Sequence, residues 1–362
     1  MSVLPTDIVV YGSANMPEAD SVTIGGAVDF TKRVAWYDIS ANDMINAVSS
    51  AASDTATKVQ IMGRDATGAS VTSTAATLNG QTPITNIGTL GTVERLLAAV
   101  VTGGAIAGLA NPGGTTAVGD IAVYRATAVL NARTAQTGAA NATGVTPALF
   151  KLQSGDGASV SSGQIIRIKT NTGANQLRQI IATSGYGTDV VAVNRDWGTI
   201  PDNTSTYDVY QGMLLEISPN QVKAVTRCFA TSAADVVTGS QRIFYEKIFV
   251  VNNNTATALT SAQIEIASDT PSLPGSALLD IALCTALNDT NTSTNRQTAP
   301  ASGAGSFTAQ PAFVSVPGAG NLTSGAAPNS AGAQGVWLRL TLPAGTAPYK
   351  GSADLRTQGN TT

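Results

Sequence analysis

Gln241-Arg242-Ile243-Phe244-Tyr245-Glu246-Lys247-Ile248-Phe249-Val250-Val251 is the stretch that decides the class of this chain. Ile243, Tyr245, Lys247 and Phe249 fall on one parity, and Phe244, Glu246, Ile248 and Val250 on the other. A run this rich in β-branched and aromatic residues, read with period two, forms a strand whose successive side chains take opposite faces. The pattern predicts the central strand of a C-terminal module. Around it, Gln221–Val225, Ser261–Ile266, Leu278–Leu283, Val336–Thr341 and Ala353–Arg356 complete a sandwich-sized set of strands. One interval breaks the rhythm. From Asp289 to Ser330 the chain is a low-complexity run of Thr, Asn, Ser, Gly, Ala and Pro, read here as a long functional or mobile loop able to wrap a neighbour.

The same signals recur upstream. Asp7–Tyr11, Ser21–Ile24, Arg33–Tyr37, Thr57–Ile61 and Ser70–Thr74 are short, β-branched runs bounded by Gly, Asn, Asp or Pro. Gly63-Arg64-Asp65-Ala66-Thr67-Gly68 suits a hairpin connection, and Leu78-Asn79-Gly80-Gln81-Thr82-Pro83 reads as a turn. Thr92–Val101 carries helix formers at its centre and valines at its ends; with sheet on both sides it is predicted as a strand. Residues 131–147 hold mostly Ala, Thr, Gly and Asn and read as a linker or exposed loop. A small meander follows, made of Gln164–Lys169, Arg178–Ala182, Asp189–Val193 and Thr206–Tyr210. The expectation is a mainly β protein of two or three small antiparallel sandwich or barrel-like modules. Their expected bounds are 1–130, 131–218 (linker and meander) and 219–362.

Composition narrows the chemistry. The 362 residues include no histidine, and only 12% are Asp, Glu, Lys or Arg, which removes imidazole-based triads and most zinc sites. A net charge of −3 without any Lys/Arg run lacks the counterion-release footprint of a nucleic-acid binder. No apolar window reaches the span of a bilayer, and the first residues lack a secretory-signal pattern. The expectation is a soluble chain made in a cytoplasm, with no nucleic-acid or membrane partner, no cofactor and no metal. Cys228 and Cys284 have neither metal spacing nor the density of a disulfide framework. They are read as small buried apolar residues, a bridge between them being the alternative.

Asp196 and Asp202 bracket Trp197 within Asn194–Asn203. Two carboxyls beside an aromatic platform are what a glycosidase or a glycan contact needs. The competing reading is a polar loop whose aspartates cap turns while Trp197 plugs a small core. Asp54 with Asp65, and Asp189 with Asp208, lack the dense spacing of a calcium loop. Lys32-Arg33 reads as a charge pair at a strand start, and Trp36 and Trp337 as core anchors, with a subunit contact as the alternative.

Asp54–Gly68 through Asn79-Gly80, Val193–Trp197 with Pro201–Tyr207, and Trp337–Thr346 together resemble modules of tailed-bacteriophage virion structural proteins. The first is similar to head-decoration and fibre-like modules, the last to the closing strand of an immunoglobulin-like add-on domain. The resemblance implies a virion protein synthesised in the host bacterial cytoplasm, non-enzymatic, decorating or cementing the capsid exterior as a homo-oligomer. Its partners would be the major capsid protein or other virion proteins, with host glycans as further ligands. With the long Asp289–Ser330 excursion and a separable C-terminal sandwich, the expectation is that the N-terminal module docks on the particle while the C-terminal one projects. A tail, neck or baseplate component, a glycan-binding adhesin and a carbohydrate-active enzyme are the alternatives.

Overall fold

The computed structural model describes residues 3, 7–17, 20–34, 37–65, 70–87, 93–102, 112–141, 148–216, 224–226, 229, 239–267, 277–324, 332–345, 353 and 355–361. In chain order the first strands are β1 (Ile8–Asn15), β2 (Ile24–Val34), β3 (Tyr37–Asp43), β4 (Ile45–Ser49), β5 (Lys58–Arg64), β6 (Ser70–Thr72), β7 (Ala76–Thr77) and β8 (Val93–Val101). There follow β9 (Ile121–Arg125), β10 (Leu130–Thr134), β11 (Ala148–Lys151), β12 (Ile165–Thr170), β13 (Leu177–Ala182), β14 (Val190–Val193), β15 (Thr206–Tyr210), β16 (Gly212–Leu215) and β17 (Ala224–Thr226). The last are β18 (Arg242–Asn252), β19 (Leu259–Ile266), β20 (Leu278–Leu287), β21 (Thr292–Ser293), β22 (Val314–Ser315), β23 (Ala333–Leu342) and β24 (Leu355–Thr361). The protein is mainly β, built from small antiparallel sheets in sandwich-like modules. No helix among the described residues is long and apolar enough to cross a membrane.

Two compact units form. The chain enters and leaves unit 1 (Met1–Ala35, Ile106–Gly108 and Thr226–Thr362), and unit 2 (Trp36–Ala105 and Leu109–Val225) lies between in sequence. This partition differs from consecutive modules ending at 130 and 218. The reason is a ladder: β1 inserts beside β18, with Ile8 opposite Asn252 and Tyr11 opposite Phe249. The C-terminal strand set is therefore not a self-contained sandwich of residues 219–362.

In unit 2, β8 is a strand, as its valine ends foretell, and pairs with β5, β3 and β17. β5 and β6 form the expected hairpin, Met62 opposite Thr72, although residues 66–69 of its connection lie outside the described residues. Gly80 adopts φ 55° in the predicted turn, and a Cβ there would come within 2.6 Å of the Ala52 carbonyl oxygen; glycine is required. The second sheet runs β10-β15-β12-β13-β14-β11. It is not a simple meander, because β15 returns to lie between β10 and β12. Nor is the stretch after 131 a free linker: β10 pairs with β15, and buried Asn141 ties three segments. Its Nδ2 donates to the carbonyls of Gln136 (2.6 Å) and Pro201 (3.1 Å), and its Oδ1 accepts from the Lys151 amide (2.7 Å). Composition hid this, because one amide side chain supplied the organisation that apolar residues supply elsewhere.

In unit 1 the strand order is β20-β23-β18-β1-β2, with β22-β19-β24 as a further sheet. β18 is central as predicted, in register with β23 from Arg242–Leu342 to Val251–Ala333. Phe249, Tyr11, Val9 and Val251 form one apolar cluster, and Ile24, Tyr245, Cys284 and Trp337 another. Trp337 is fully buried, a core anchor and not a surface contact.

The excursion after Asp289 is bound back onto this unit over its described part. Ser293 pairs with Ile24, Ala304 with Cys284, Thr308 with Ile281, Val314 with Ile264 and Leu322 with Leu259. It is not a loose arm. Its firmest anchor is Arg296, fully buried, whose Nη2 donates to Glu246 Oε2 (2.9 Å) and the Pro17 carbonyl (2.7 Å) and whose Nη1 pairs with Asp20. The Arg296 carbonyl also accepts from the Tyr245 amide at 2.7 Å. Arg296→Ala strands the Glu246 carboxylate in the interior and is expected to cost about 3–5 kcal/mol, whereas Arg296→Met with Glu246→Leu removes both charges and costs much less. Urea unfolding of the two variants measures the difference.

Candidate functional site

The loop after β14 holds the residues singled out as a glycan or interface site. Trp197 is only 2% exposed. Its indole nitrogen donates to the Leu149 carbonyl at 3.0 Å, its ring lies 5.2 Å from that of Phe150, and the Arg178 guanidinium sits 5.0 Å from its centroid. A side chain so enclosed plugs the core of unit 2 and offers no platform to a sugar. Asp196 is exposed, and its main-chain carbonyl accepts from Arg178 Nε (3.0 Å) and Nη2 (2.6 Å). Arg178, itself buried, further donates to the Leu177 carbonyl and Gln176 Oε1. Burial pulls its guanidinium down to about 10 against the opposing charges of Glu216 and Asp196. Arg178 is what positions this loop. Nothing in Arg178-Gln179-Ile180 distinguished it from an ordinary strand residue.

Asp202 is a turn clamp. Its Oδ1 accepts from the Thr204 amide (2.8 Å) and hydroxyl (2.6 Å), and its Oδ2 from the Thr172 hydroxyl (2.8 Å). These bonds to the charged form lower its pKa to about 2. A general acid needs the opposite shift, so Asp202 is placed for architecture and not for proton delivery.

Other acidic residues are similarly engaged. Buried Asp54 accepts from the Ser49 hydroxyl (2.6 Å) and the amides of Val118 (2.9 Å) and Gly119 (3.0 Å). Asp189 accepts from the amides of Gly155 and Gly157, which hold its pKa below the ordinary value. Asp208 receives the Ala132 amide and the Tyr210 hydroxyl, both at 2.6 Å, and lies 3.1 Å from Lys169 Nζ. No group of three metal-ligating side chains occurs among the described residues. Lys32 is buried in β2, donating to the carbonyls of Ser13 and Ala14 and pairing with Asp29 at 3.2 Å; the Arg33 side chain lies outside the described residues, as do Trp36 and Cys228. Cys284 is a buried free thiol, pushed up to about 12 chiefly by burial.

Unit 1 holds a different feature that no sequence signal announced, an open groove of about 620 Å³ along β19, β22 and β24. Gln263, Ser315, Gly320, Gln358 and Asn360 line it. Gln358 Nε2 donates to Gln263 Oε1 at 2.7 Å, and Gln263 Nε2 to the Ser315 hydroxyl at 3.3 Å. Such a lining of amides and hydroxyls suits a neutral ligand rich in hydroxyl groups. The lining residues are scattered over three strands far apart in the chain, which is why no local motif revealed them.

Comparison with family models, with curated proteins and with solved structures finds no match for this chain.

Because the folded pKa of Asp202 is depressed from the 3.8 of a free aspartate to about 2, its contribution to stability is complete above about pH 4 and is lost as the pH falls toward 2. Thermal melts between pH 2 and 6 should show a decline in wild-type stability in that interval that is shallower in Asp202→Asn.

Proposed function

We propose that this chain is a non-enzymatic structural protein of a tailed-bacteriophage virion, decorating or cementing the capsid exterior as a homo-oligomer. The observation that carries the reading is the employment of its acidic side chains: Asp54, Asp156, Asp202 and Asp208 are all committed to holding turns and strands together. Tyr207, for example, donates to Asp156 Oδ2 at 2.8 Å while Arg133 meets Oδ1 at 2.8 Å. A chain that spends its few charges on internal bracing is suited to being a durable surface. Many copies on a lattice need little affinity each, because multivalency multiplies weak contacts. The partners on this reading are the major capsid protein or neighbouring virion proteins.

A glycan-binding role, as in an adhesin on the same kind of particle, is favoured by one feature, the uncharged groove of Gln263, Ser315, Gln358 and Asn360. The enzyme alternative has less behind it, since Trp197 is enclosed and the Asp202 oxygens are taken up by Thr172 and Thr204.

Purified full-length protein is expected to co-sediment with tailed-phage capsids and to run as a homo-oligomer in light scattering. A monomer that ignores capsids and hydrolyses oligosaccharides would overturn the reading. Capsid binding should be flat between about pH 5.5 and 7.5, because there is no histidine and the strongly displaced Asp202 and Cys284 titrate near 2 and 12. Release from particles at constant ionic strength measures this. On the glycan reading, Gln263→Ala with Gln358→Ala should weaken glycan-array binding at least about tenfold, the loss expected for one or two hydrogen bonds.

A further inference from the structure

We propose that Lys247 and Asp289 become joined, after folding, by an intramolecular amide bond between Nζ and Cγ. Lys247 Nζ lies 2.5 Å from Asp289 Oδ1, and the two side chains are 0% and 7% exposed. Apolar groups close over the pair on one side: Phe249 and Trp337 place their ring centroids 5.0 and 5.6 Å from Nζ, and the buried Cys284 thiol is adjacent. Gly335 makes the closeness possible, since a Cβ there would fall 2.5 Å from Cys284 Sγ and 3.2 Å from Lys247 Cε. The pocket is shaped around an amine pressed against a carboxyl.

Its polar groups are distributed as the reaction needs. Asn291 Nδ2 donates to Asp289 Oδ2 at 2.5 Å, and the Asn291 amide to Oδ1 at 3.1 Å. The carbonyls of Gly26, Asp289 and Asn291, at 3.0–3.1 Å, fix the direction of Nζ. Burial pushes the Asp289 carboxyl up, but bonding to Lys247 and Asn291 outweighs it, so the resting state is the ion pair. A proton passed from Nζ to Oδ1 gives the neutral amine and acid, a form that burial brings closer in energy to the ion pair than it is in water. The nitrogen lone pair then adds to Cγ, with the negative charge developing on Oδ2 held by Asn291 Nδ2. Oδ1 takes a second proton from the nitrogen and departs as water, leaving one N–H on the new amide. An ammonium and a carboxylate thus become an amide and one water, with no oxidant, reductant or cofactor. Fixed proximity replaces the activation that the same condensation needs in solution.

Intact mass spectrometry of the full chain, unfolded in denaturant, tests this without relying on any variant to fold. The expected wild-type mass is the calculated one less one water, and proteolysis should release a branched peptide containing both Lys247 and Asp289. Lys247→Arg and Asp289→Ala should each show the full calculated mass. Wild-type protein at its full calculated mass would overturn the proposal. So would a water loss that persists in Lys247→Arg, which would instead mark a cyclic imide at Asp289.

Discussion

Two opposite charges stand next to each other on one central strand, and the arrangement of unit 1 follows from the need to answer both. Glu246 and Lys247 occupy successive positions of β18, so period two sends them to opposite faces, and both are fully enclosed. An unpaired charge in such a place is too costly to keep. One segment meets both: Asp289 reaches Lys247, and Arg296, seven residues on, reaches Glu246. That segment is thereby fixed on both faces of the sheet. It carries with it the N-terminal hairpin, through Pro17 and Asp20 on Arg296 and through Gly26 on Lys247. The polar run that looks structureless in composition is held by two buried ion pairs.

Unit 2 solves a related problem by adding main-chain amides and hydroxyls to carboxylates that also meet cations, as Asp208 meets Lys169 and Asp156 meets Arg133. Aromatic residues are few, and Phe150, Trp197 and Tyr207 are gathered at one place, with centroids 5.1–5.2 Å apart. A second cluster forms around Tyr124 and Tyr210, whose centroids are 4.3 Å apart, and hydrogen bonds hold the loops around both. Asp54, Asp156 and Asp208 each accept several bonds within the interior, where removing one partner would leave a desolvated donor or acceptor. A chain with so little aromatic bulk holds its loops by satisfying them. This explains how low charge and high Thr, Ser and Asn content are compatible with defined architecture.

Where a feature depends on local pattern, the sequence is legible. The alternation of β18, the hairpin of β5 and β6, the Asn79-Gly80 turn and the strand at Val93–Val101 are all set by neighbours within a dozen residues. What escapes depends on partners far along the chain. No pattern in Ile8–Asn15 says that its ladder lies with β18, and none in residues 131–141 reveals that one asparagine will tie Gln136, Lys151 and Pro201 together. The candidate site divides in the same way. Asp202 as a turn clamp and Trp197 as a plug follow from residue type as readily as the glycan reading does, but Arg178 beneath them and the groove of Gln263 and Gln358 exist only in three dimensions.

The pairing of β1 with β18 also sets a schedule. Ile8 is made before unit 2, yet its partner Asn252 is added only after all of unit 2 has been synthesised. On a ribosome, unit 2 has its whole sequence available first, while the opening hairpin waits with one edge unfilled. Contacts so distant along a chain close slowly, because the intervening segment must first be gathered in against its own entropy. Unit 2, by folding, replaces a flexible span with a compact one and so lowers that entropic cost. Slow or faulty folding of unit 2 would prolong the time for which that strand edge is open to other nascent chains.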